Sequence, residues 1–117
     1  MELYKESDYE LPIINQWEKV VHWLLNTTEK FPKRVRFTLS NRIINLSLDF
    51  YEDLIHARYS RKKKDILIRG NIKLEQLRLL LRICSEARFY SQKQNEYAMR
   101  SIFETGKMLG GWIKTVD

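Results

Sequence analysis

Glu52 and His56 lie one helical turn apart in the stretch DFYEDLIH, a spacing that lets a carboxylate orient an imidazole or share a metal ion with it. A carboxylate-bridged two-metal centre in a helical bundle needs more: a Glu-x-x-His pair on each of two helices, with further glutamates between them. The chain has no such pair, and its only other histidine, His22, belongs to none. Neither a metal ion nor a cofactor is therefore expected, and Glu52 and His56 read as an i,i+4 pair on a solvated face with Arg42, Asn45 and Asp49. Helical ribonucleases of the HEPN type place an arginine shortly before a histidine on one helix. His22 has no arginine upstream of it, and those before His56 are too distant. Cys84 stands on an apolar stripe without a histidine at local spacing, which makes it a small core side chain rather than a nucleophile. With no glycine-rich phosphate loop either, no catalytic residue is assigned and the chain reads as a non-enzyme.

The cationic side chains show more organisation. The net charge is +6, distributed as −3 over residues 1–30, +7 over residues 31–73 and +2 over residues 74–117. Lys33, Arg34 and Arg36 precede a second helix, and Arg61, Lys62, Lys63 and Lys64 form the run RKKK before a third. Arg78 and Arg82, one turn apart, extend a polar stripe through Asn71 and Glu75, and guanidinium groups so placed can contact successive phosphates. Clustered positive charge concentrates polyanions at a surface, so RNA or DNA is the leading partner class and acidic protein the second.

Four helical segments position these groups. Pro12 marks the first helical position of a helix over about 12–29, with Ile13, Trp17, Val20 and Leu24 on its inner side. The FPKR at 31–34 closes it. A second helix, about 39–60, carries two apolar stripes: Leu39, Ile43, Leu46, Phe50, Leu54, Ala57 and, beside it, Ile44, Leu48, Tyr51, Ile55. That face is wider than a bundle core needs, so the helix is expected either to be central in the fold or to share the face between the core and a second subunit. The third helix, about 65–89, aligns Leu67, Gly70, Leu74, Leu77, Leu81 and Cys84. Gly70 sits mid-helix on this stripe, where a neighbouring backbone is expected to come close. Ser91 and Gln94 form a capping-box signal for a fourth helix to about 113, with Met99, Ile102, Phe103, Gly106, Leu109, Gly110 and Ile113 on one face. Gly106 and Gly110 are spaced for tight helix crossing, and Trp23 and Trp112 are placed as interface anchors or as caps of the core.

The pattern predicts an all-α, antiparallel up-and-down four-helix bundle spanning residues 1–117 as one domain. One cysteine excludes an internal disulfide framework, no apolar run approaches the ~18 residues of a membrane span, and the start MELYKESDYE lacks the layout of a signal peptide. A cytoplasmic location is expected.

Several segments resemble a known family. WLL at 23–25, EKFPK at 29–33, RFTL at 36–39, LRLLLRI at 77–83 and above all GKMLGGWIK at 106–114 are similar to the accessory variability determinant (Avd) of diversity-generating retroelements. The likeness runs from about residue 9 to 114. It implies a four-helix bundle assembled as a homopentameric barrel, without activity of its own, that associates with the retroelement's reverse transcriptase and binds nucleic acid. The complex would copy a template RNA into cDNA with errors at adenines. On the same likeness, Phe31, Pro32, Lys33, Arg36 and Phe37 organise the first connection, and Gly110, Gly111 and Trp112 shape the end of the fourth helix. Arg78 and Arg82 would meet nucleic acid or polymerase. The run Arg61 to Lys64 matches no family motif and rests on charge alone. The alternative is a bundle protein of the 23S rRNA intervening-sequence type, a structural or interaction protein whose role the fold does not reveal.

Overall fold

The computed structural model describes residues 8–116. Four α-helices, α1 (Glu10–Thr28), α2 (Asn41–Tyr59), α3 (Lys63–Glu86) and α4 (Gln92–Lys114), follow one another, with no strand among the described residues. Each packs on its sequence neighbour and α1 closes the ring against α4. Short connections force each helix to reverse the direction of the last, which is the up-and-down arrangement.

α1 begins two residues earlier than Pro12 implies, so the proline occupies the third helical position. It is tolerated there because none of the first turn's N–H groups has an intrahelical acceptor. After α1 the chain winds tightly through a 3₁₀ turn, Lys33–Val35, then loosely through a π turn, Arg36–Ser40, before α2 becomes regular. Phe31 anchors this connection: it is buried, its ring lies 5.7 Å from that of Phe89 and 5.9 Å from that of Tyr90, and its carbonyl accepts from Arg36 Nε at 3.3 Å.

α3 ends at Glu86, three residues before the expected limit. Arg88 adopts the left-handed conformation (φ 60°), while the Phe89 and Arg88 amides donate to the Cys84 and Ser85 carbonyls at 2.9 and 3.0 Å. This is a Schellman closure made without the usual glycine. The capping box at α4 forms in full: Ser91 Oγ accepts from the Gln94 amide at 3.1 Å, and the Gln94 side chain accepts from the Ser91 amide at 2.8 Å.

Trp17 lies at the centre of the core, fully buried, edge-on to Phe50 at 4.8 Å and donating from Nε1 to the Ser47 carbonyl at 2.9 Å. The α3 stripe is buried throughout, from Leu67 to Cys84. Gly70 meets a ring rather than a backbone: a Cβ there would stand 3.3 Å from Phe50 Cε1. On α4 the buried stripe is Ala98, Ser101, Ile102, Thr105, Leu109 and Trp112, rotated from the expected one, so Phe103 is 67% exposed. Thr105 fits the core because its hydroxyl donates to the Ser101 carbonyl at 2.7 Å. Between α2 and α3 a partly buried ion pair, Lys73 Nζ to Asp53 Oδ2 at 2.6 Å, ties the two helices.

Burial pushes the Cys84 thiol up to about 11 from its ordinary 9.0, and the same cause raises the neighbouring Tyr90 hydroxyl. An unfolded chain gives up the thiol proton first, so the contribution to stability is whole below pH 9 and lost as pH rises from there to about 11. The loss is about 3 kcal/mol. Urea midpoints measured between roughly pH 8 and pH 11 should fall over this window, less so in Cys84→Ala. A thiol reagent at about pH 8 should label Cys84 only after denaturation.

Candidate nucleic-acid interface

The basic residues singled out in the sequence fall into three places. Lys33, Arg34 and Arg36 lie at the end of the bundle that holds the α1–α2 and α3–α4 connections, since the Arg34 guanidinium sits over the Phe89 ring at 5.4 Å. Arg61, Lys62 and Lys64 are exposed at the α2–α3 connection, the opposite end. Lys63 does not join them. Its Nζ donates to the carbonyls of Ala57 and Arg58, both at 2.8 Å, capping the last turn of α2 where a cation also meets the negative end of the helix dipole. The RKKK run therefore presents three cations to solvent and turns the fourth back on the fold.

Arg78 and Arg82 occupy the side of α3. Arg78 grips Glu75 in a two-bond fork, Nε to Oε1 at 3.0 Å with Nη2 on Oε2, and the hydrogen bond from Arg78 holds the Glu75 carboxyl below its usual range. Arg82 stands 3.9 Å from Glu86. Arg78 must loosen a carboxylate to take a phosphate, whereas Arg82 is exposed and makes no hydrogen bond to Glu86 among the described residues. Glu52 and His56 are exposed, and no ion pair joins them among the described residues.

The structure adds a row that the charge clusters do not reveal. Lys93, Arg100, Lys107 and Lys114 are exposed on α4, seven residues apart. Seven residues make two turns less about 20°, so the row runs along one side at intervals of about 10.5 Å. No ion pair engages any of the four among the described residues, although Glu96 and Glu104 lie on the same helix. Spacing alone carries the signal, because the four residues are scattered singly and no local charge run draws attention to them.

Two grooves flank α3. One of about 450 Å³ lies against α4, with Arg78, Glu75 and Asn71 on one wall and Phe103, Gly106 and Lys107 on the other. The other, about 990 Å³, opens between the start of α2 and the second half of α3, where Phe37, Leu39, Leu46, Leu79 and Leu80 make it apolar. Phe37 is 84% exposed. Ile68, Ile72, Leu79 and Ile83 continue an exposed apolar stripe along the outer side of α3. No group of three or more metal-ligating side chains occurs among the described residues, and no helix there is long and apolar enough to cross a membrane.

Residues 11–116 match the bAvd-like family. The chain belongs to that family. No curated protein matches it. For a bAvd-like chain the glycines near the C-terminus then divide by surroundings. Gly106 makes one ordinary contact, with Leu74 at 3.7 Å, and nothing lies within 4 Å of a Cβ at Gly110, so neither serves a tight crossing within the subunit. Gly111 is the crowded one: a Cβ there would stand 2.6 Å from the ring of Tyr9, the residue just before α1. Trp112 is fully buried, hence a core residue and not an exposed anchor, whereas Trp23 is half-buried against Tyr97, with centroids 4.8 Å apart.

These surroundings predict opposite effects of one methyl group. Gly110→Ala should stabilise the subunit by about 0.5–1 kcal/mol through helix propensity. Gly111→Ala must displace the Tyr9 ring and should lose that gain or reverse it. In a Tyr9→Ala background the Gly111 penalty should vanish, a coupling that urea unfolding of the double-mutant cycle measures at one fixed protein concentration.

Proposed function

We propose that this protein is a non-enzymatic accessory subunit of a diversity-generating retroelement, a basic oligomeric bundle that brings a reverse transcriptase and its template RNA together. The observation that carries the reading is membership of the bAvd-like family over residues 11–116. The exposed cations at the α2–α3 end and along α4 support contact with a polyanion. An exposed apolar face of Phe37, Ile72, Leu79 and Ile83 supports packing against further subunits, since patches of this kind mark interaction sites in soluble proteins. The assembly would be the pentameric barrel that the family resemblance implies, with Arg61, Lys62 and Lys64 repeated around one rim. The polymerase supplies the chemistry.

The test is a pull-down of the tagged protein from its native cells with bound protein and RNA both identified. The expected result is a reverse transcriptase together with an RNA carrying its template repeat. Recovery of neither would refute the reading. Light scattering at micromolar concentration should give the mass of several chains, and a monomer would remove the ring.

A further inference from the structure

The groove between α3 and α4 sets an aromatic ring open to solvent beside Lys107, a cation without a carboxylate partner among the described residues. Phe103 is 67% exposed although it interrupts a helix whose other large apolar residues are buried or half-buried, apart from Tyr97 at the margin. It follows Arg100 by three residues and precedes Lys107 by four, so one cation stands about a turn to either side of it. Lys107 Nζ lies 5.6 Å from the ring centroid. Gly106, on the same wall, adds no side chain beside the ring, and Arg78 faces it across about 450 Å³ of open groove.

We propose that this groove binds single-stranded nucleic acid, with one unpaired base stacked on Phe103 and the flanking phosphates held by Arg100 and Lys107 within the α4 row. The inference rests on the nucleic-acid reading above and deepens it by naming the form of the polymer and the residue that takes a base. Stacking accepts any base because each has a π-face, and it requires an unpaired one, which a duplex does not offer. The row from Lys93 to Lys114 covers 21 residues, about 31 Å of helix, and is long enough to follow a strand past the groove on both sides. Charge favours this occupant over another subunit. Beside the apolar stripe of α3, Arg78 is already paired with a carboxylate, whereas the Phe103 face would bring four cations that no ion pair engages among the described residues into a protein contact.

The experiment measures binding of the intact protein, in its own oligomeric state, to three fluorescent probes: a single-stranded RNA of mixed sequence, a strand of equal length without bases, and the duplex. Phe103→Ala should weaken the mixed-sequence strand about 5- to 100-fold and leave the abasic strand and the duplex nearly unchanged. Phe103→Tyr, which keeps the ring, should restore tight binding. Arg100→Ala and Lys107→Ala should weaken all three probes and reduce the salt slope for the single strand by about 0.7 each. If the wild-type protein binds none of the probes at low salt, both this proposal and the nucleic-acid reading fall. If it binds them and Phe103→Ala behaves as wild type, the base site is wrong while the general reading stands. Equal weakening of the mixed-sequence and abasic strands, with a change in mass by light scattering, would make Phe103 a subunit contact and overturn the base site.

Discussion

Trp17→Ala should lower the unfolding free energy by about 3–5 kcal/mol, out of a typical total of about 5–15 kcal/mol for a domain. Two losses combine at this position. The indole is fully buried between α1 and α2, so its removal leaves a cavity against Phe50 that the surrounding rings cannot fill without leaving their rotamers. The Nε1 to Ser47 carbonyl hydrogen bond at 2.9 Å disappears with it, about 1 kcal/mol in a buried setting. Trp17→Phe separates the two contributions, since it keeps most of the apolar area and deletes the donor. It should cost clearly less than alanine. The measurement is the urea midpoint at unchanged slope, made at one protein concentration because assembly would add to apparent stability. A shift below about 1 kcal/mol for Trp17→Ala would mean that the α1–α2 contact is not where the bundle keeps its stability.

Trp17 is legible in the sequence because it repeats at helical spacing with Ile13, Val20 and Leu24, and periodicity of large apolar residues is the strongest local signal of a buried stripe. The α3 stripe is legible for the same reason. On α4 the same signal points to a rotated face, because three of the residues it buries, Ala98, Ser101 and Thr105, are small or polar and carry little hydrophobic weight, whereas Phe103 carries much. Small side chains turn inward where helices approach, and a threonine hydroxyl satisfied within its own helix costs little to bury. The end of α3 leaves no mark in the sequence, since the residue in the left-handed position is Arg88 and no glycine signals the stop.

The candidate interface is less legible than the fold, and the reason is partner choice. A cation's type and position do not say whether it points at a carbonyl, a carboxylate or water. Lys63 turns back to cap α2, while Lys62 and Lys64 on either side of it remain exposed. Arg78 is held by Glu75 three residues before it, a partner of the kind that helix spacing makes available to any exposed arginine. The α4 row is hidden for a different reason. Its four members are far apart in the chain and come to share one side only through the helix that carries them.

On the function proposed above, affinity for single-stranded RNA should fall steeply with salt, and the size of the fall counts the cations that meet phosphates. Each phosphate neutralised on a single strand contributes about −0.7 to the slope of log affinity against log salt, so about four contacts from the α4 row give about −3 and a loss of about 50-fold between roughly 50 and 200 mM salt. A strand that crosses the rows of two subunits doubles the slope and loses about 2,000-fold over the same range. The partners of each cation decide which substitutions matter. Alanine at Arg100 and Lys107, which engage no carboxylate among the described residues, should reduce the slope more than alanine at Arg78, because Glu75 already holds that guanidinium group. Anisotropy titrations of a labelled strand at several salt concentrations measure the slope directly. A flat profile would rule out phosphate contacts as the basis of binding, and a slope that responds to Arg78 and Arg82 but not to Arg100 and Lys107 would move the interface from α4 to α3.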